Sequence, residues 1–243
     1  MKTAIENMGK TSVLRSVEML ARQIGVPDDL GIGIVCSACC DNIDLAPAKR
    51  SKKISTDHEA LVQWVTKFYN GYKGRPSQKT GTPPKTTPDP AVSEIIACAI
   101  PSISRCDIRR IEFAHRLAMS AENILGPFVE EYVFERLKRH GWALAWGETV
   151  KSVDLCSRDG RLIQIKNRSN TENSSSNKVR EGTDIKKWFR VDAGTGAYLW
   201  EELCSIANVK QGYLSEDDFR AFVKAALKIN PNALGVDAES PWR

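Results

Sequence analysis

The chain has 243 residues, of which 42% are hydrophobic and 27% charged, enough to bury a core in one domain or in one domain with a helical annex. Its 35 basic and 30 acidic residues leave a formal net charge of +5, compatible with a polyanionic partner. No stretch approaches the ~20 consecutive apolar residues of a membrane span. The opening MKTAIENMGKTSVLRSVEML lacks the apolar centre of a signal peptide, so the expected compartment is the cytoplasm, with no membrane partner.

In chain order, Val13, Val17, Leu20, Ala21 and Ile24 predict a helix over Thr11 to Ile24, and Leu61, Trp64, Val65 and Phe68 another over Asp57 to Tyr69. Between them lies Cys36-x-x-Cys39 with Cys40 adjacent. Structural zinc needs four ligands, yet no second cysteine pair exists and His58, His115 and His140 are far apart in sequence. The seven cysteines are therefore read as reduced thiols. Gly71 to Pro90, GYKGRPSQKTGTPPKTTPDP, is too rich in Gly, Pro and Thr for a regular element. It serves either as a linker or as a basic arm along a DNA backbone. The expected division is a mostly helical region over 1–90, including this connector at 71–90, followed by a second region over 91–243.

Leu117, Ala121, Ile124, Leu125, Phe128, Tyr132, Val133 and Leu137 recur at helical spacing, with Gly126-Pro127 placed to kink the helix or to start a second one. The apolar run Trp142 to Trp146, after His140-Gly141, predicts a central strand. Val150 to Leu155 and Leu162 to Ile165 then read as a hairpin turning through Ser157-Arg158-Asp159-Gly160, with positive φ expected at the glycine. Two helices, Ala197 to Ala207 and Ser215 to Leu227, close the chain, the second with Ser215 as its N-cap. The sum predicts an α/β fold, a mixed central sheet flanked by helices behind an N-terminal helical region.

The hairpin carries the chemistry. Period 2 places Gln164 and Lys166 on one face and Ile163 and Ile165 on the other. Pairing about Asp159-Gly160 brings Asp154 near the end of the face of Gln164 and Lys166. An acidic oxygen, a side-chain carbonyl and an ammonium then converge, which suits a hydrated Mg²⁺ polarising a phosphodiester. From 164 to 190, seven basic residues (Lys166, Arg168, Lys178, Arg180, Lys186, Lys187 and Arg190) oppose three acids. Asn167, Asn170, Asn173 and Asn177 with Ser174, Ser175 and Ser176 add short hydrogen-bonding side chains. The segment 166–190 is accordingly expected to contact double-stranded DNA, with Arg168, Asn170, Asn173, Lys178 and Arg180 reaching a groove and Lys186 and Lys187 the phosphates.

At Asp154 and Gln164-Ile165-Lys166 the chain resembles the PD-(D/E)xK nuclease superfamily, whose signature is an acid on one strand and acid-x-Lys on the next. It departs from that pattern with Val153 in place of proline and Gln164 in place of the usual acid. The resemblance implies a restriction-endonuclease-like core, and a Gly-x-x-x-Glu helix ahead of the first catalytic strand. Gly126 and Glu130 match that motif, with Glu131 and Glu122 as alternatives nearby. QIKNRSNTENSSSNKVREGT followed by IKKWFR is further similar to the SinI and AvaII group of type II restriction endonucleases, strongest from about Ala121 to Leu203.

That similarity implies sequence-specific, Mg²⁺-dependent double-strand cleavage at a GGWCC-like site. In this reading Asp154, Gln164 and the Ile165 carbonyl hold the metal, Lys166 orients water or stabilises phosphorane charge, and Glu130 tunes the site or binds a second metal. Cutting both strands of a near-palindromic site favours a homodimer. Two other readings stay open: a structure-specific or repair nuclease of the same fold, and a DNA-binding module without catalysis.

Overall fold

The computed structural model describes residues 1–48, 55–169 and 184–242. Its N-terminal part is helical: α1 (Lys2–Met8), α2 (Lys10–Ile24), α3 (Ile32–Asp41) and α4 (Asp57–Lys73). The predicted stripes are the buried ones, Val13, Val17, Leu20 and Ala21 on α2 and Leu61, Trp64, Val65 and Phe68 on α4. A capping box starts α4: Thr56 Oγ1 accepts from the Glu59 N–H at 3.2 Å, and the Glu59 carboxylate accepts from the Thr56 N–H at 3.1 Å.

Next come α5 (Pro90–Ala99) and the 33-residue α6 (Arg105–Leu137), then β1 (Trp142–Leu144), β2 (Leu155–Ser157), β3 (Leu162–Arg168), β4 (Ile185–Val191), α7 (Trp200–Ala207) and α8 (Glu216–Ile229). The sheet order is β1-β2-β3-β4, with β1/β2 and β2/β3 antiparallel and β3/β4 parallel. The fold is therefore mixed α/β, N-terminal helices with a four-stranded mixed sheet flanked by helices.

Several expectations change in detail. Trp142 to Trp146 supplies an edge strand of the described sheet rather than a central one. Its apolar side chains are nonetheless buried, because α3 packs on β1 and β2 and the Trp142 indole donates to the Ala207 carbonyl at 3.4 Å. Pro127 lies inside one continuous helix instead of dividing two. IKKWFR, read as part of a DNA-contacting segment, forms most of β4. The hairpin turns as expected, with Gly160 at φ +89°, where a Cβ is disfavoured. Ser215 Oγ accepts from the Asp218 N–H at 3.2 Å at the start of α8.

The described chain forms two compact units. One comprises Met1–Arg75 and Val129–Phe222, the other Pro76–Phe128 and Val223–Arg243. The first joins the N-terminal helices to the described sheet. In the second, the Gly/Pro-rich stretch is pinned to the C-terminal segment: the Gly81 N–H donates to the Asn232 carbonyl at 2.7 Å, and Asn230 Nδ2 to the Lys79 carbonyl at 3.0 Å. Among the described residues, no helix is long and apolar enough to cross a membrane.

Candidate active site

The site forms where the β2–β3 ladder breaks. Ile163 pairs with Leu155, yet the N–H of Asp154 also donates to the Ile163 carbonyl, at 2.9 Å. Two residues of one strand thus oppose one of the other, the signature of a β-bulge, which re-aims a side chain and ends the regular pairing. The re-aimed Asp154 carboxylate takes the next free donor in line: its Oδ2 accepts from the Ile165 N–H at 2.7 Å. In a strand the N–H and C=O of one residue point to the same edge, so the Ile165 carbonyl lies on the edge that Asp154 occupies.

Around Asp154 gather Glu130 from α6, Lys166 from β3 and Glu148 from the β1–β2 loop, each close enough to act on its neighbours electrostatically. Burial, then the Asp154 charge, pushes the Glu130 carboxyl from its ordinary 4.5 up to about 8. Asp154 is raised from 3.8 to about 6, chiefly by burial, with the Ile165 hydrogen bond and Lys166 pulling the other way. The two carboxylates are thus held where at least one ionised form is disfavoured, and a single ammonium offsets them only in part. That deficit of positive charge fits a divalent cation. Among the described residues no three His, Cys, Asp or Glu side chains converge tightly enough to hold a metal by themselves. Two carboxylates with neutral oxygens and water suit a hard ion that keeps part of its hydration shell.

Those expected site residues that fall among the described residues each have a definite place. Gln164 is buried, on the strand face it shares with Lys166. Glu130 is the helix glutamate turned to Asp154 and Lys166. Glu131 is buried in an ion pair with Arg75 at 3.3 Å, and Glu122 is exposed. Arg168 is exposed near the end of β3. Lys186 pairs with Ile163 and Lys187 with Gln164, so the two lysines leave β4 on opposite faces. Lys187, on the face of Gln164 and Lys166, sits 5.1 Å from the centre of the Phe189 ring. Asn170, Asn173, Lys178 and Arg180 lie outside the described residues.

Two residues of the basic segment are engaged inside the protein. Arg190 is buried, pairs with both carboxylate oxygens of Glu216 at 2.8 and 2.7 Å, and donates from Nε to Asn167 Oδ1 at 2.9 Å. Cys36 and Cys39 are buried free thiols whose pKa values are raised, for Cys36 mainly by the hydrogen bond it donates to Cys40 and for Cys39 by burial, and Cys39 Sγ lies 3.5 Å from the Thr149 carbonyl.

Sequence reasoning missed Glu148. The residue is exposed, at φ +55° and after Gly147 at φ +70°, a backbone region that non-glycine residues seldom occupy. Helix α4 holds the loop there. Lys67 Nζ donates to the Glu148 carbonyl at 3.0 Å, and the Trp64 indole to the Thr149 carbonyl at 3.0 Å. The two backbones approach so closely that a Cβ on Gly71 would lie 2.2 Å from the Gly147 nitrogen, and one on Gly147 would lie 2.4 Å from the Lys67 carbonyl oxygen.

The SinI restriction endonuclease family matches residues 28–229. The type II restriction enzyme SinI of Salmonella infantis is 43% identical over 155 residues, covering 62% of this chain and 66% of that enzyme. The type II restriction enzyme Eco47I of Escherichia coli is 40% identical over 185 residues, 73% of this chain and 78% of the relative. With the matched span covering the helix glutamate, the bulged hairpin and both lysine-bearing strands, the chain belongs to the SinI restriction endonuclease family and is a type II restriction endonuclease of the SinI/Eco47I group.

Proposed function

We propose that this protein cuts both strands of DNA at a short specific sequence, in a Mg²⁺-dependent reaction centred on Asp154, Glu130 and Lys166. The observation that carries the reading is the meeting of two pKa-raised carboxylates with Lys166 beside the Ile165 backbone. Asp154, Glu130, the Ile165 carbonyl and the Gln164 side-chain carbonyl would hold the ion. When bound, it supplies Lewis-acid stabilisation of phosphate charge and a water of lowered pKa.

The chain's own residues do the positioning. The bulge and the Ile165 N–H fix one Asp154 oxygen, leaving the other for the ion. Lys166 presents an ammonium that orients the attacking water or stabilises the charge growing on the phosphorane. Glu130 adjusts the charge of the site and accepts a proton when the ion is absent. Helix α6, strands β2 to β4 and α7 form the restriction-endonuclease-like core in this reading. Arg168, Lys187 and the Asn/Ser-rich segment with Asn170, Asn173, Lys178 and Arg180 face DNA, and Lys186 contributes a phosphate contact. GGWCC is the proposed target, read by two copies on a near-palindromic site.

Purified protein incubated with plasmid and Mg²⁺, with EDTA as control and the product ends sequenced, tests this. Uniform ends at one motif support it. Ends scattered over many sequences favour a structure-specific nuclease, and binding without cutting favours a DNA-binding module.

A further inference from the structure

The loop between β1 and β2 opens and closes beside Asp154. The Ala145 N–H donates to the Asp154 carbonyl at 2.8 Å, and the Thr149 N–H to the Ala145 carbonyl at 3.4 Å. Glu148 therefore sits on a short turn anchored to the residue that carries the acid of the site. It is the one exposed residue between Gly141 and Ser157, whereas Glu130, Asp154 and Lys166 are half-buried. A third carboxylate thus stands at the rim above two set deeper.

The backbone that places it is strained. Of the three non-glycine residues at positive φ among the described residues, two lie in this loop, Glu148 at +55° and Ser152 at +56°. Glycine or asparagine adopts such a conformation more readily than glutamate. Helix α4 nevertheless imposes it, through the Lys67 and Trp64 hydrogen bonds and the close approach of Gly71 to Gly147. Backbone strain persists where the surroundings over-determine it, and it clusters at functional sites. The Glu148 side chain does not steady the fold in return. Among the described residues its carboxylate has no hydrogen-bond or ion-pair partner, and its charge acts against those of Glu130 and Asp154. What glutamate contributes at this position lies in a carboxylate that the protein itself leaves unused.

We propose that Glu148 is a positioning residue for cleavage, its carboxylate accepting a hydrogen bond from a water of the bound divalent cation and holding that water at the rim. The inference rests on the metal-dependent reading of this site. The contact runs through water because no three acidic side chains among the described residues converge tightly enough for direct ligation. Mg²⁺ keeps several of its waters, and groups one shell out orient what the ion holds.

Mn²⁺ binding to the full chain, followed by the electron paramagnetic resonance of the free ion, tests this together with thermal unfolding in EDTA. The proteins are the wild type, Glu148→Gly, Glu148→Gln and Asp154→Ala. Both Glu148 variants are expected to bind Mn²⁺ about 10-fold or more weakly than the wild type, and to need a similarly higher Mg²⁺ concentration for half-maximal plasmid cleavage. Neither should melt lower in EDTA, since both remove the repulsion and glycine also relieves the backbone. A Glu148→Gly that melts below the wild type would make the residue a structural support and overturns the proposal. Wild-type Mn²⁺ affinity in both Glu148 variants overturns it too. If Asp154→Ala alone loses the ion, only the role of Glu148 falls; if Asp154→Ala also keeps wild-type affinity, the metal-dependent reading of the site falls with it.

Discussion

Glu130→Gln should make the metal-free protein more stable while disabling the enzyme. The Glu130 carboxyl is raised from 4.5 to about 8 by burial and by Asp154, so the folded chain holds a proton that the unfolded chain releases. Because the folded value lies above the unfolded one, the folded state binds more protons between them. Stability is therefore fully present below about pH 4.5 and falls as pH rises towards about 8. At pH 7 the whole shift corresponds to about 3 kcal/mol. If Asp154 shares the proton so that half of this belongs to Glu130, the neutral glutamine still gains about 3–6 °C in Tm for a chain of this size.

The assay is thermal unfolding in EDTA at pH 5, 6.5 and 8. The variant should match the wild type near pH 5 and melt progressively above it as pH rises. Added Mg²⁺ should stabilise the wild type more than the variant. A wild-type Tm that does not fall from pH 6.5 to 8, or a variant that melts lower at pH 8, would refute the electrostatic account of the site.

Other outcomes are equally specific. Asp154→Ala and Lys166→Ala should abolish plasmid cleavage while leaving DNA affinity within about threefold, as gel-shift titration in Ca²⁺ would record, because both residues serve chemistry rather than grip. Gln164→Glu adds an acid beside two others and should tighten Mg²⁺ binding by calorimetry; an unchanged affinity would mean that position 164 does not ligate. Glu216→Ala leaves the buried Arg190 guanidinium without its carboxylate and should cost about 3–5 kcal/mol in urea unfolding, against about 0–1 for the exposed Lys10–Asp41 pair. Lys187→Ala should lower DNA affinity more than Lys186→Ala, since only Lys187 shares the face of Gln164 and Lys166; equal losses would indicate that strand face does not govern contact.

What the sequence made legible follows from local physics. Helical spacing alone picked out the buried stripes of α2 and α4, and the turn at Gly160 set the hairpin's centre. That turn is enough to bring Asp154 to β3. The bulge at Asp154 escaped because it is a one-residue offset that alternation does not encode. Glu148 escaped for a stronger reason: its place depends on a left-handed backbone that its residue type does not advertise, held by a helix some eighty positions earlier. Arg190 and Asn167 looked like surface polar residues because Arg190 joins Asn167 to Glu216 on α8, and no spacing rule connects the three. The apolar half of α6 ahead of Pro127 read as core, yet Ala121 is exposed there. Periodicity reports that a face will be covered without saying by what.

The near-contact of Gly71 with Gly147 restricts how such an enzyme can be recombined. Two bare backbone positions, one on a helix and one on the loop leading to Glu148, must stay vacant together, since a methyl group on either would drive the two elements apart. A chimera that takes its first seventy-five residues from one parent and its strands from another inherits this fit only if both parents share it. A crossover placed between β3 and β4 takes both glycines, and the glutamate they present, from one parent and leaves their fit undisturbed.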